Sequence, residues 1–355
     1  MRARDEAKIE KATERTLPLM QTEANDTGSP KPAISILIVS FNTRDVLREC
    51  LDSVAAATGD LVVETIVVDN CSRDGSAAMV REEFSWVRVI ESTENLGFGR
   101  ANNLAFAAAR GRYIVLLNSD AFLQRDTLCL SLEKMEADPT VGLASGRLVG
   151  RDGELQPSAR MFPSPMRNLL VISGLADKYP KSRFFGQADR TWADPMEAAE
   201  VDWVPGAYSI IPADILHRYG FFDPRFFLYY EEVDLCLRIQ SAGYKIMYWP
   251  EICVVHVGGE SSRQIKTLEM SQTGAQLVLW RMRSTLLYYR KHKGSAAIAV
   301  RWLEEIWYLL RAWRNRLRGG EEARCEVRNQ ERLAGLMSLA WKETKGGRVS
   351  PPQPW

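Results

Sequence analysis

Three carboxylates stand within four residues in the stretch Phe226-Phe-Leu-Tyr-Tyr-Glu-Glu-Val-Asp-Leu-Cys-Leu-Arg238. Glu231, Glu232 and Asp234 follow directly on an aromatic and aliphatic run. Acids this dense beside apolar residues are costly near a protein interior unless they serve a function there. A helix starting at Glu231 holds all three in its first turn, where the positive end of the helix dipole favours anions. Leu235, Cys236, Leu237 and Ile239 anchor such a helix, and Gly243 is its natural stop. The stretch then presents carboxylates to a pocket from a rigid helix start. An acidic first turn with no further role is the plain alternative.

A second set of polar residues closes a series of apolar runs. The pattern predicts strands over 34–40, 62–69, 87–90, 113–117 and 141–145. Between them it predicts helices over 46–57, 76–84, 99–111 and 128–137. This alternation implies an α/β fold, a mostly parallel sheet covered by helices on both faces. Ligands of such sheets bind at the carboxyl ends of the strands. Those ends carry Ser40 and Asn42, then Asp69, Asn70 and Ser72, then Asn95, then Asn118, Ser119 and Asp120.

These residues suit a nucleotide-sugar site. Asp69 can accept a hydrogen bond from a base or ribose hydroxyl, with Ser40 and Asn42 beside it. Glu94-Asn-Leu-Gly-Phe-Gly-Arg-Ala-Asn-Asn103 offers backbone amides, a helix N-terminus and Arg100 to a diphosphate. Gly97 and Gly99 make half a dinucleotide fingerprint, but Asn102 holds the third position and the first strand does not precede it, which argues against NAD. Asp120 is a hard-oxygen ligand for Mg²⁺ or Mn²⁺, which would neutralise charge on a departing diphosphate. Capping the next helix is its other reading.

Around this core the composition sets bounds. The net charge of +1 gives no argument for nucleic acid. The six cysteines form no C-x-x-C pair, which reads as free thiols in a reducing compartment. No signal-like segment or spanning helix is apparent, so a cytoplasmic protein is expected. Residues 1–32, with six basic and six acidic side chains, read as a charge-balanced flexible arm. Residues 146–200, rich in Arg, Phe, Pro and Gly, read as a partly ordered insertion serving as a lid or acceptor loop. A strand pattern resumes over 201–211, then 244–249 and 253–256, and long helices follow from Leu268. Residues 281–318 carry ten Lys/Arg against two Glu, with Trp302, Ile306, Leu309, Leu310, Trp313 and Leu317 at helical spacing. Such a helix either lies on an anionic membrane surface or packs on the main domain with its basic face in water.

With these motifs in hand, the chain resembles the family 2 glycosyltransferases of the GT-A fold, in the rhamnosyltransferase-like subgroup of bacterial surface polysaccharide synthesis. The resemblance is carried in order by Val39-Ser-Phe-Asn42, Val67-Val-Asp-Asn-Cys-Ser72, Asn95-Leu-Gly-Phe-Gly-Arg-Ala-Asn-Asn103 and Leu116-Leu-Asn-Ser-Asp120. It continues through Trp203-Val-Pro-Gly-Ala207, Phe222-Asp-Pro-Arg-Phe-Phe227, Tyr230-Glu-Glu-Val-Asp-Leu-Cys-Leu-Arg238 and His256-Val-Gly-Gly-Glu-Ser261. It implies a GT-A domain over 33–264, with a nucleotide-sugar half to 145 and an acceptor half from 146, and a helical region over 265–355.

The resemblance further implies an inverting transfer from a nucleotide-diphospho-sugar to a glycan or lipid-linked acceptor. Rhamnose is the favoured sugar. Glu232 falls at the position of the catalytic base, with Glu231 and Asp234 beside it. Asp69 matches the base-contacting aspartate, with Asn70, Asn95, Gly97, Arg100 and Asn103 in the donor-binding segments. Asn118-Ser119-Asp120 matches the D-x-D metal motif with Asn in the first place, and His256 matches a position that completes the metal shell. His256 as a satisfied core residue stays open, as does Trp203 as plain packing rather than a platform for a sugar. Two rivals remain: a nucleotide-sugar-binding scaffold that has lost its chemistry, and a processive synthase, for which spanning helices and a Gln-x-x-Arg-Trp motif are missing.

Overall fold

The computed structural model describes residues 31–258 and 272–351. The expected N-terminal arm and the end of the His256–Ser261 motif therefore lie outside the described residues, apart from Lys31 and Pro32 at the end of the arm. Ten strands form one sheet: β1 Ile34–Ser40, β2 Val63–Asp69, β3 Val87–Glu91, β4 Tyr113–Asn118, β5 Ala121–Leu123, β6 Val141–Val149, β7 Leu155–Gln156, β8 Ala199–Glu200, β9 Tyr208–Pro212 and β10 Lys245–His256. The helices in chain order are α1 Arg44–Thr58, α2 Ser76–Glu83, α3 Gly97–Phe106, α4 Thr127–Ala137, α5 Pro165–Ile172, α6 Leu175–Lys178, α7 Ala213–Tyr219 and α8 Glu231–Ser241. Three long helices follow among the described residues: α9 Gln272–Lys293, α10 Ala296–Arg318 and α11 Glu321–Glu343.

The strand order is β3-β2-β1-β4-β9-β6-β10-β5. The first four strands are parallel, joined by crossover helices as the alternating pattern requires. Alternate strand residues serve two cores. Ile36, Ile38, Val67 and Val115 pack on α1, α2 and α4, while Leu37, Ile66, Val68 and Leu116 pack on α3, α7 and α8. Beyond β4 the sheet is mixed, because β9 runs antiparallel to both β4 and β6. Its antiparallel run starts at the carboxyl end of β4, so the loop 203–207 that leads into it sits at the ligand-binding edge of the sheet.

Several local expectations change. The strand pattern over 201–211 yields a strand only from Tyr208, since Pro205-Gly206 breaks the run. The helix expected to reach Gly111 ends at Phe106. Gly111 is needed for a different reason: a Cβ there would lie 2.4 Å from the Ser35 backbone nitrogen. The insertion is built of definite elements. β6 runs on to Val149 and pairs with β7, and Ser164 caps α5 by accepting from the Arg167 backbone N–H ahead of Pro165. The last two strand segments are one strand, β10, with a register shift between Trp249 and Cys253 around Pro250.

The C-terminal helices pack on this domain through Phe226 and Val233 against Leu287, Tyr288 and Tyr289. A second cluster joins Met282 and Leu286 of α9 to Tyr308, Met337 and Ala340. α10 is inverted relative to an ordinary amphipathic helix in that most of its tryptophan, leucine and isoleucine side chains face out, while polar residues are buried beside Ala297, Val300 and Ala312. Glu304, Tyr308 and Asn315 are buried, while Trp302, Ile306, Leu310, Trp313 and Leu317 are exposed, Leu317 by 69%. No helix among the described residues is long and apolar enough to cross a membrane.

Candidate active site

At the nucleotide end, register places Ser40 beside Asp69 at the ends of β1 and β2. Asp69 is buried, and its Oδ2 accepts from the Ser72 backbone N–H at 3.0 Å. Its Oδ1 is buried without a partner, so one carboxylate oxygen is held for a hydroxyl or base N–H. Asn42 and Cys71 flank it with positive φ, the sparsely populated conformation that marks built sites. Asn42 positions the loop: its N–H donates to Ser72 Oγ at 3.0 Å and its Oδ1 accepts from Arg73 N–H at 2.8 Å.

Other residues expected to touch the donor are tied into hydrogen bonds of the protein itself. Ser40 is fully buried and bonded to Thr43, whose hydroxyl continues to Ser119. Asn70 accepts from Leu96 N–H and donates to Asn95, and Asn95 accepts from Gly97 N–H. Phe98 N–H donates to Phe227 O at 2.9 Å. The first amides of α3 are thus engaged internally and do not form the expected phosphate cradle. Gly97 is required because a Cβ would lie 2.3 Å from Phe227 O. Arg100 donates to Pro224 O, and Asn103 clamps Phe222 through both its backbone groups. For Gly97, Arg100 and Asn103 the reason is shared: residues 222–227, which lead into α8, dock on α3.

At the metal end, antiparallel pairing of β5 with β10 brings His256 beside Asp120, with Nε2 3.4 Å from Oδ1. Asn118 Nδ2 is 3.3 Å from the same nitrogen. Gln156 decides the ring's state. Its Nε2 donates to His256 O at 2.7 Å, and a carbonyl only accepts, so Gln156 Oε1 faces Nδ1, also at 2.7 Å. Nδ1 therefore carries the proton, and in the neutral ring Nε2 turns its lone pair to Asp120 and Asn118. Gly258 closes over the ring, where a Cβ would lie 2.0 Å from Cε1. Among the described residues no group of three or more His, Cys, Asp or Glu is placed to hold a metal ion by itself. Asp120 and His256 fit part of a Mg²⁺ or Mn²⁺ shell whose remaining ligands would be phosphate oxygens and water.

The three acids of α8 meet three different surroundings, although Glu231 and Asp234, three residues apart, lie on one side of the helix. Glu231 is buried towards Gly99 and leaves Oε2 without a partner. Burial and the neighbouring Glu232 charge raise its pKa well above the carboxylate range. Glu232 lines a cavity of about 340 Å³, also with an unpartnered Oε2. Burial raises its pKa, opposed by its own backbone N–H and by Arg160. Asp234, expected among the catalytic acids, is 0% exposed and fully committed. It pairs with Arg238 at 2.9 Å and with Lys291 and His292 at 2.6 Å, which pins α8 to α9.

Tyr229 and Tyr230, just before Glu232, both have positive φ and line its cavity. Trp203 lines it too, rather than the nucleotide end, with Arg160 5.0 Å over its ring. The loop carrying Trp203 ends at Ala207, whose carbonyl accepts from Asn118 N–H at 3.0 Å, so one loop joins the metal end to the Glu232 cavity. Sequence reasoning missed Gln156, Arg160, Arg167, Arg281 and Glu304. For Glu304 a signal existed: the spacing that aligns Trp302, Ile306 and Trp313 puts Glu304 on the opposite face.

Residues 35–191 match the model of Glycosyl transferase family 2. The chain is similar to the N-acetylglucosaminyl-diphospho-decaprenol L-rhamnosyltransferase of Mycobacterium tuberculosis (strain ATCC 25618 / H37Rv), 25% identical over 234 residues, which cover 63% of this chain and 75% of the relative. It is also similar to Rhamnosyltransferase WbbL of Escherichia coli (strain K12), 22% identical over 272 residues, 73% of this chain and 94% of that one. Among solved structures, mannosyltransferase PcManGT from Pyrobaculum calidifontis, in complex with GDP-Man and Mn2+, aligns with a TM-score of 0.52 at 17% identity, covering 90% of this chain and 89% of that one. That likeness shows the GT-A fold. With the family model matched over residues 35–191, and with relatives of this kind along most of its length, the chain carries a family 2 glycosyltransferase domain and is a glycosyltransferase.

Proposed function

We propose that this glycosyltransferase moves a sugar, rhamnose, from a nucleotide-diphospho-sugar to a hydroxyl of a lipid-linked glycan, with inversion, in bacterial cell-surface polysaccharide synthesis. The relatives' names support the sugar and the acceptor class. The observation that carries the chemistry is Glu232: a carboxylate with an unpartnered oxygen, at a rigid helix start, lining a cavity. Glu232 takes the proton of the acceptor hydroxyl as the acceptor's own oxygen attacks the anomeric carbon. The new C–O bond forms as the bond to the diphosphate breaks on the opposite face, and the electron pair leaves with the nucleoside diphosphate. Asp69 orients the nucleoside, and Asp120 and His256 are the residues that would hold the divalent ion. When bound, that ion neutralises charge on the diphosphate. A non-catalytic scaffold leaves the open Glu232 oxygen unexplained. The exposed apolar face of α10, with Arg311, Arg314, Arg316 and Arg318 on the same helix, suits peripheral binding at the inner membrane leaflet.

The test is Glu232→Gln, which keeps the shape and cannot take a proton. Transfer should fall ~10²–10⁴-fold while donor binding by calorimetry is kept. Turnover close to wild type would remove Glu232 from the role of base.

A further inference from the structure

The cavity of Glu232 is only half built by the family domain. Its other wall comes from the C-terminal helices, through Arg281 and Thr285 of α9 and Glu304 of α10. Its lining carries three arginines. Arg160 is paired with Asp189 at 3.1 Å. Arg167 is held by neutral partners, donating from Nε to Gln187 and from Nη1 to Phe162 O. Arg281 has no ion-pair partner among the described residues. Burial pushes Glu304, the nearby acid, towards its neutral form, against the pull of Arg281. Two guanidinium groups with spare donors and no carboxylate bound to them form an anion site, and bidentate Arg recognition suits phosphate above all.

The same cavity is lined by Val171 and Ile172 of α5. Ile172 O accepts from Trp307 Nε1 of α10 at 3.2 Å. Val171 and Met166 are exposed beside the inverted helix, and Trp302 and Ile306 of α10 are exposed as well. One cavity and its surroundings thus bring together a proton acceptor, two guanidinium groups and an apolar ridge.

We propose that Arg167 and Arg281 form a phosphate subsite for an acceptor in which a sugar is joined through phosphate to an apolar chain. The sugar hydroxyl lies at Glu232, the phosphate at the two arginines, and the chain leaves over Val171, Ile172 and the exposed face of α10. This deepens the reading of Glu232 as base and rests on it for the sugar's orientation. It makes the C-terminal helices part of acceptor recognition.

The probe is geranyl diphosphate, titrated calorimetrically into the full chain in EDTA, where a metal cannot draw a diphosphate to the donor site. Wild type should bind it, with geraniol and inorganic pyrophosphate each much weaker. Arg281→Gln and Arg167→Gln should each weaken binding about tenfold or more, the loss expected of a charge-assisted hydrogen bond. Arg281→Lys should recover part of it, and Asp120→Ala should leave it unchanged. Matching thermal unfolding midpoints exclude a folding defect, and the lysine variant reports if the glutamine variant unfolds. Three results overturn the subsite: no binding by wild type, equal binding by both glutamine variants, or loss in Asp120→Ala. Pyrophosphate binding as tight as geranyl diphosphate overturns the lipid assignment. The two readings fail separately. Intact transfer by Glu232→Gln with geranyl diphosphate binding lost in Arg281→Gln removes the base and leaves the subsite.

Discussion

Glu232 is set between opposing influences, and their balance has a visible consequence. Burial raises its pKa; its own backbone N–H and the Arg160 charge lower it. A base works only when ionised, so kcat/KM should fall on acidification with a limb above the ordinary glutamate value of ~4.3. Arg160→Gln removes a positive charge that favours the anion, which raises the pKa further and moves the limb to higher pH. Rate profiles of both proteins check this, and an unmoved limb would assign the titration to another group. At the metal end, Gln156→Leu frees the His256 ring to change tautomer. Mn²⁺ affinity in the presence of a nucleoside diphosphate should fall about 10–100-fold, read from the free Mn²⁺ signal by electron paramagnetic resonance. Glu232, Asp69, Asp120 and His256 were legible as candidates because motif order singled them out. The roles of Asn70, Asn95 and Asn103 were not, because an amide that closes a strand looks the same whether it meets a ligand or its own backbone. Gln156 left no signal at all, standing on a strand of two residues.

Helix α8 was legible as an element, with its start at Glu231 and its glycine stop, but not the direction of each acid. That depended on what packs against each face, and α9 comes from beyond the motif region. Asp234 answers to α9. Burial alone would raise its pKa, yet His292, Lys291 and Arg238 hold it below the usual value. Its pairing therefore stabilises the fold above the ordinary carboxylate pKa and is lost only as pH falls through the lower folded value. Asp234→Asn removes the carboxylate shared by Arg238, Lys291 and His292, leaving Lys291 only Asp223, and should cost about 3–5 kcal/mol at neutral pH, measured by chemical denaturation. For α10 the spacing was plain and the orientation was not, since one pattern serves either a membrane or a packed face. The structure leaves the apolar stripe uncovered among the described residues. Trp302→Glu with Trp313→Glu should abolish co-sedimentation with anionic vesicles, which in wild type weakens with salt, while the unfolding midpoint stays the same. Vesicle binding that survives both changes would place the contact elsewhere.

Across the whole molecule, the parallel half of the sheet was readable from alternation alone, since buried strands and crossover helices leave distinct periods. The antiparallel β9 and the cavity wall were not. Both join segments far apart in sequence, and the wall adds α9 and α10 to a loop at 203–207 and a helix at 165–172. Deleting the chain after Gly294 would thus strip Glu304 from the cavity and uncover Met282 and Leu286, so point changes are the better probe of α10. The inversion of that helix also reverses how it should tolerate variation. Glu304, Tyr308 and Asn315, the positions that look free because they are polar, are the ones hemmed in by neighbours. Trp302, Leu310 and Leu317, which look like core, can drift to polar residues with the packing of the described residues intact, and only a contact beyond those residues would hold them apolar.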